Sequence, residues 1–205
     1  MTTIRTVAII GAGQMGAGIA QAVAAGGYEV RLYDAAADRP PRALASIAAS
    51  LARLVERDLT SQAEADAVMG RISTAAGLAE AGAADLVIEA AVEDEAVKKA
   101  LFAGLTPHLA AHTLLASNTS SISITRLAAA SDRPDRFIGL HFMKPAPVMK
   151  LVEIIRGIAT SADTYAAAVA FAESLGKTTT NAEDFPAFIV NRILVPMINE
   201  AIYTL

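Results

Sequence analysis

The chain has 205 residues, enough for one domain with a full core or for a domain plus a fragment. An apolar fraction of 54% against 19% charged excludes a disordered chain, and a net charge of −4 speaks against a nucleic-acid-binding surface. Cysteine is absent, which excludes disulfides, thiolate catalysis and cysteine metal sites and leaves nothing that argues for export, so a cytoplasmic protein is expected.

The run from Thr6 to Gly27 carries no charge and reads at first like a signal or membrane segment. Its six glycines, its two glutamines and the strand-like run after it argue against that, and no membrane partner is expected. Ile4 to Ile10 is short, β-branched and apolar, the pattern of a buried parallel strand. Gly11-Ala12-Gly13-Gln14-Met15-Gly16 follows, and then a helical run from Ala17 to Ala25 stopped by Gly26-Gly27. Tyr28 to Tyr33 is a second strand, ending on Asp34. Strand, glycine turn, helix, strand and acid make a complete dinucleotide-binding unit, far more specific than the glycines alone. Gly11 permits the tight turn, Gly13 lets the backbone approach a pyrophosphate, and Gly16 lets the helix pack on the strand. Asp34 suits both ribose hydroxyls of an adenosine and repels a 2′-phosphate, so the cofactor expected is NAD; Arg39 keeps NADP as the lesser reading.

Helical patterns over Asp38 to about Arg57 and Ser61 to Met69 form an excursion after the second strand. Ser50, Arg53 and Arg57 share one face, either a solvated surface or a site for an anionic ligand. Strands are expected at Arg71–Thr74, Ala84–Glu89 and Thr113–Ala116, with a helix from Glu93 to about Leu105. The polar cluster Ser117-Asn118-Thr119-Ser120-Ser121 sits at a strand's carboxyl end, where ligands of open α/β sheets bind, and Ser121 suits the cap of a helix starting near Ile122. His108 and His112 are spaced like metal ligands, but Pro107 and the following strand break the helix such a pair needs, so no metal is expected.

Arg136–Phe142 and Leu151–Arg156 read as two more strands around a corner stiffened by Pro145 and Pro147. That arrangement returns Glu153 toward His141, the base and orienting carboxylate that proton transfer needs; the alternative is a corner with one structural histidine. An alanine-rich helix from Ser161 to Leu175, a short edge strand at Lys177–Asn181, and a last helix from Phe188, opened by Asp184-Phe185-Pro186-Ala187, complete the chain. That last helix is apolar on more than one face and reads as the start of a second domain that has been cut off.

GAGQMGAGIAQ, VIEAAVE, SNTSS, GLHFM-P-PVMKLVE and FPAFIVNR together resemble the 3-hydroxyacyl-CoA dehydrogenase family over essentially the whole chain. The resemblance implies a Rossmann-type α/β fold, doubly wound and mostly parallel, over residues 1–183, with residues 184–205 opening an all-α domain used for dimerisation and for covering the acyl pocket. It implies reversible NAD-dependent oxidation of an (S)-3-hydroxyacyl-CoA, such as 3-hydroxybutyryl-CoA, to the 3-ketoacyl-CoA. The other readings are a dehydrogenase for a different 3-hydroxyacyl-CoA such as 3-hydroxyadipyl-CoA, and a non-catalytic NAD-binding relative. By the same resemblance His141 is the base, Glu153 its partner, and Ser120 and Asn191 complete the catalytic set. Gly11, Ala12, Gly13, Gln14, Met15, Gly16, Asp34, Glu93, Lys98, Asn118, Ser120 and Lys144 fall at cofactor positions. Ser50, Arg57, Lys98 and Ser120 fall at coenzyme A positions, and a homodimer is implied. Lys144 stands where the family usually has asparagine beside the nicotinamide, so oxidised cofactor is expected to bind less well than it would to Lys144→Asn.

Overall fold

The short apolar runs pair into one sheet. In the computed structural model, which describes residues 4–205, the strands are β1 (Thr6–Ile10), β2 (Glu29–Tyr33), β3 (Ile72–Thr74), β4 (Leu86–Glu89), β5 (Leu114–Ser117), β6 (Phe137–Phe142), β7 (Leu151–Arg156) and β8 (Thr178–Glu183). Their order across the sheet is β3-β2-β1-β4-β5-β6-β7-β8. The first six run parallel, β7 is antiparallel to β6, and β8 is parallel to β7. The chain winds outward from β1 to β3 and then returns to β4 on the other side of β1. That reversal opens a crevice at the carboxyl ends of β1 and β4.

Alternation along β1 serves two cores. Val7 and Ile9 face α1 (Gln14–Ala25), α2 (Arg39–Glu56), α3 (Gln62–Gly70) and α7 (Ala162–Ser174). Ala8 and Ile10 face α4 (Leu78–Gly82), α5 (Glu95–Leu105) and α6 (Ile124–Ala128). All four side chains are buried, as a strand covered on both faces requires. The last helix is α8 (Val190–Thr204), in which no residue is buried and through which Pro196 runs without ending it.

Several boundaries differ from those expected. Helix α1 begins at Gln14 rather than Ala17, because Gly13 is its N-cap and the glycine turn closes directly into the first helical turn. The helix expected near Ile122 starts at Ile124, and Ser123, not Ser121, caps it by accepting from Arg126 N–H. Asp184 takes the remaining donors, Ile124 N–H and Thr125 N–H, across a gap of some sixty residues that local pattern does not reveal. The short helix α4 has no counterpart among the expected elements. The edge strand is longer than expected and runs to Glu183, and α8 begins after Phe188 rather than at it.

Candidate active site

At the crevice, Gly11 has φ +107°, and a Cβ there would lie 2.5 Å from Ala90 O. A Cβ on Gly16 would fall 1.7 Å from Gly11 O. Both glycines are therefore fixed by the backbone around them. Gly13 differs: a Cβ there would meet nothing within 4 Å. It borders a cavity of about 580 Å³ lined also by Gln14, Met15, Asp34, Ala36, Arg39 and Val92. No side chain caps the first turn of α1, so its N–H groups stand open at the edge of this space. Together these give room and donors for a pyrophosphate. Asp34 closes the far side, its Oδ2 accepting from Ala12 N–H at 2.8 Å and its Oδ1 from Ala36 N–H at 2.9 Å. Arg39 lies 3.6 Å from Asp34 Oδ2 and is half exposed. The residues present thus fit a dinucleotide with an unphosphorylated adenosine ribose.

A second space of about 230 Å³ shares Met15, Ala90 and Ala91 with the first and adds Glu93, Lys98, Asn118 and Ser120. A buried network shapes it. Glu89, at the end of β4, accepts from Lys98 Nζ at 2.6 Å, from Ala91 N–H at 2.7 Å and from Ser117 Oγ–H at 2.6 Å. Lys98 is itself buried and also reaches Glu93 Oε2 at 3.3 Å. Glu93 Oε1 accepts from Thr119 Oγ1–H and from Ser120 N–H. Partial burial acts to raise the Glu93 pKa, but the donors Thr119 and Ser120 and the Lys98 charge outweigh it and hold the carboxyl below its ordinary value. Asn118 is anchored by Phe142 N–H, which donates to its Oδ1 at 2.9 Å.

The antiparallel register of β6 and β7 sets His141 opposite Glu153. His141 Nδ1 lies 2.6 Å from Glu153 Oε2, with both groups buried. Burial favours the neutral acid at Glu153. The hydrogen bond from His141, the N–H groups of Val190 and Ile189 at 2.9 Å from Oε1, and the histidine's charge together reverse this and lower its pKa. An ionised carboxylate accepts, so Nδ1 is the donor to Glu153, and in the neutral form of the ring Nε2 is left as an acceptor. Ser120 Oγ lies 3.2 Å from that Nε2. Asn191, in the first turn of α8, donates from Nδ2 to Ser120 O at 3.4 Å. Such a site can take a proton from a hydroxyl held between Ser120 and His141.

The structure thus brings together His141, Glu153, Ser120, Asn191, Glu93, Lys98 and Asn118, and sets the glycine turn and Asp34 across the crevice from them. Lys144 is exposed in the corner after β6 and borders neither space. Ser50, in the second half of α2, and exposed Arg57 also border neither space. His108 lies in a 3-10 turn, and His112 pairs with Asp85 at 2.9 Å. Ser117 and Thr119 were expected only as members of the polar cluster after β5, and Glu89 was not among the expected residues. An acid closing a wholly apolar strand was the available signal for Glu89, since a buried carboxylate needs a partner.

Residues 6–185 match the family model described as 3-hydroxyacyl-CoA dehydrogenase, NAD binding domain. A 3-hydroxybutyryl-CoA dehydrogenase of Bradyrhizobium diazoefficiens is 54% identical over 202 residues, covering 98% of this chain and 69% of that protein. A 3-hydroxyadipyl-CoA dehydrogenase of Escherichia coli is 45% identical, covering 98% of this chain and 42% of that protein. The crystal structure of an (S)-3-hydroxybutyryl-CoA dehydrogenase from Ralstonia eutropha superposes with a TM-score of 0.94 at 45% identity, covering 97% of this chain and 70% of that one.

Proposed function

The chain belongs to the 3-hydroxyacyl-CoA dehydrogenase family, and from that premise we propose that it oxidises an (S)-3-hydroxyacyl-CoA reversibly with NAD, 3-hydroxybutyryl-CoA being the substrate best supported by its relatives. One observation carries the assignment of roles: the 2.6 Å contact between His141 Nδ1 and Glu153 leaves Nε2 facing Ser120. NAD, when bound, supplies the acceptor for the hydride leaving C3. Gly13, the open start of α1 and Asp34 hold its pyrophosphate and adenosine, and Glu93, Lys98, Asn118 and Met15 border the nicotinamide end. Ser120 Oγ orients the substrate oxygen on C3. His141 Nε2 takes the hydroxyl proton, so that the C3 carbon–oxygen bond becomes a carbonyl. Glu153 stabilises the imidazolium that results. Asn191 completes the polar wall by steadying the backbone of Ser120. In the reverse direction the same imidazolium returns the proton.

Ser50 and Arg57 are assigned to coenzyme A, consistent with an anionic ligand lying along α2. The boundary between units is set at residues 183 and 184, where β8 ends. Ile193, Val195, Met197, Ile198 and Ile202 are exposed on α8 and suit burial against more chain or a second copy, as a homodimer would provide. A cytoplasmic location fits the absence of cysteine. No helix of the described residues is long and apolar enough to cross a membrane.

The test is NADH oxidation with acetoacetyl-CoA, using this chain and its His141→Gln variant. Turnover is expected in the parent, and a loss of about 10²-fold or more in the variant with NADH affinity within about twofold. No turnover from a folded, NADH-binding parent would leave a binding protein. Retained turnover in the variant would remove His141 from the role of base.

A further inference from the structure

One short segment holds two non-glycine residues in the left-handed region: Ala187 at φ +69° and Phe188 at φ +51°. Phe188 N–H donates to Phe185 O at 3.0 Å, with Pro186 and Ala187 between them. Proline second and a positive φ third is the pattern of a type II turn, whose third position favours glycine. This chain places alanine there and follows it with a phenylalanine that is also left-handed. Such conformations are costly for side-chain-bearing residues and persist only where the surroundings enforce them.

The consequence of the turn is local and directed. It ends where Ile189 N–H and Val190 N–H, at the start of α8, both reach Glu153 Oε1 at 2.9 Å. Phe188 is 5% exposed, and its ring meets the His141 ring edge-on with centroids 5.8 Å apart. One elbow therefore touches both members of the proton-transfer pair. It fixes the Glu153 oxygen that His141 does not use, and it packs against the imidazole. Beyond the elbow α8 has no buried residue, so the elbow and Asn191 are where this helix engages the sheet.

We propose that the Ala187–Phe188 elbow is a positioning element for the His141–Glu153 pair, with Phe188 the positioning residue, so that the short Nδ1–Oε2 contact forms only while the elbow seats the start of α8 on Glu153. This rests on the His141–Glu153 pair as the proton-transfer group assigned above. Phe188 touches neither substrate nor cofactor; it acts through the ring and the carboxylate it restrains. The left-handed backbone is the part of the device that sequence pattern hides, since nothing in Pro-Ala-Phe requires it.

The test reads the low-field proton NMR signal of His141 Nδ1–H, identified by its loss in His141→Gln, in the parent and in Phe188→Ala, Phe188→Leu, Ala187→Gly and Ala187→Val. NADH affinity is measured alongside. Phe188→Ala removes the ring, and Ala187→Val places a β-branched residue where positive φ is least tolerated. Both should lose or broaden the signal while NADH affinity stays within about twofold, and kcat should fall by about tenfold or more with KM changed less, as for a misplaced catalytic group. Phe188→Leu should restore most of the signal. Ala187→Gly should keep it and raise Tm, because glycine removes the left-handed penalty. A signal unchanged in Phe188→Ala and Ala187→Val overturns the proposal. So does a parallel loss of NADH affinity, which would make Phe188 a core residue and nothing more. The NMR signal needs no substrate. A parent that lacks turnover but shows the expected signal pattern would refute the dehydrogenase reading and leave the elbow standing.

Discussion

His141 divides its work between two ring nitrogens, and every strong contact around it serves that division. Glu153 is spent on Nδ1 and on the start of α8, which leaves Nε2 free for chemistry. Lys144 lies only three residues away but on the outside, exposed and without an ion pair among the described residues. A charge so placed acts on the cofactor space through solvent, which screens it. Lys144→Asn is therefore expected to tighten NAD⁺ binding by less than about threefold, to leave NADH affinity unchanged, and to lose even that effect at high salt. Titrations of both cofactor forms at two ionic strengths check this. A tenfold, salt-insensitive gain would mean that the lysine enters the nicotinamide space.

The glycine turn and α1 act as one element in which three glycines have separate duties. Gly16 has no room for a methyl group, because Gly11 O occupies the place. Gly13 has room, but the room is the cavity. Gly16→Ala should cost at least about 2 kcal/mol, since only a shift of α1 relieves the overlap. Gly13→Ala should cost about 1 kcal/mol or less, the difference between glycine and alanine as an N-cap, yet weaken NADH by about tenfold or more. Denaturant unfolding paired with NADH titration separates the two. A Gly16→Ala protein as stable as the parent would mean that α1 does not sit where it is described. The same element shows what was legible beforehand. Glycine spacing, the apolar strands and Asp34 are local signals and led to the right unit. The short helix α4 was missed because five residues are too few for a helical period to show. The cap of α6 was misplaced because Asp184, its other half, lies far along the chain.

Across the whole molecule, a doubly wound, mostly parallel sheet was expected, whereas the strand order and its reversal at β1 are read only from the strand pairing. The facing of His141 and Glu153 was legible because two strands around a stiff corner allow few registers. The buried Glu89–Lys98 pair joins the end of β4 to α5 over nine residues and was missed although Glu89 gave a signal. The elbow before α8 was not legible, because it depends on His141 and Glu153, which other strands bring to it. Three carboxylates share that long-range character. Glu93 holds the loop after β5, Glu153 holds β6 and α8, and Asp184 holds α6. Burial acts to raise the pKa of each, but the hydrogen bonds each accepts outweigh it and lower the pKa. The stability they contribute is therefore fully present above their unfolded values, about 3.9 for Asp and 4.3 for Glu, and is lost as pH falls through the folded ones. Tm should be level between about pH 6 and 8 and fall steeply below about pH 4. Asp184→Asn removes one titration without removing the side chain's shape. It should be less stable than the parent at neutral pH and approach it as the parent's Asp184 takes up its proton. If the two curves instead run parallel down to low pH, Asp184 binds protons alike in the folded and unfolded states, and its hold on α6 contributes nothing that depends on charge.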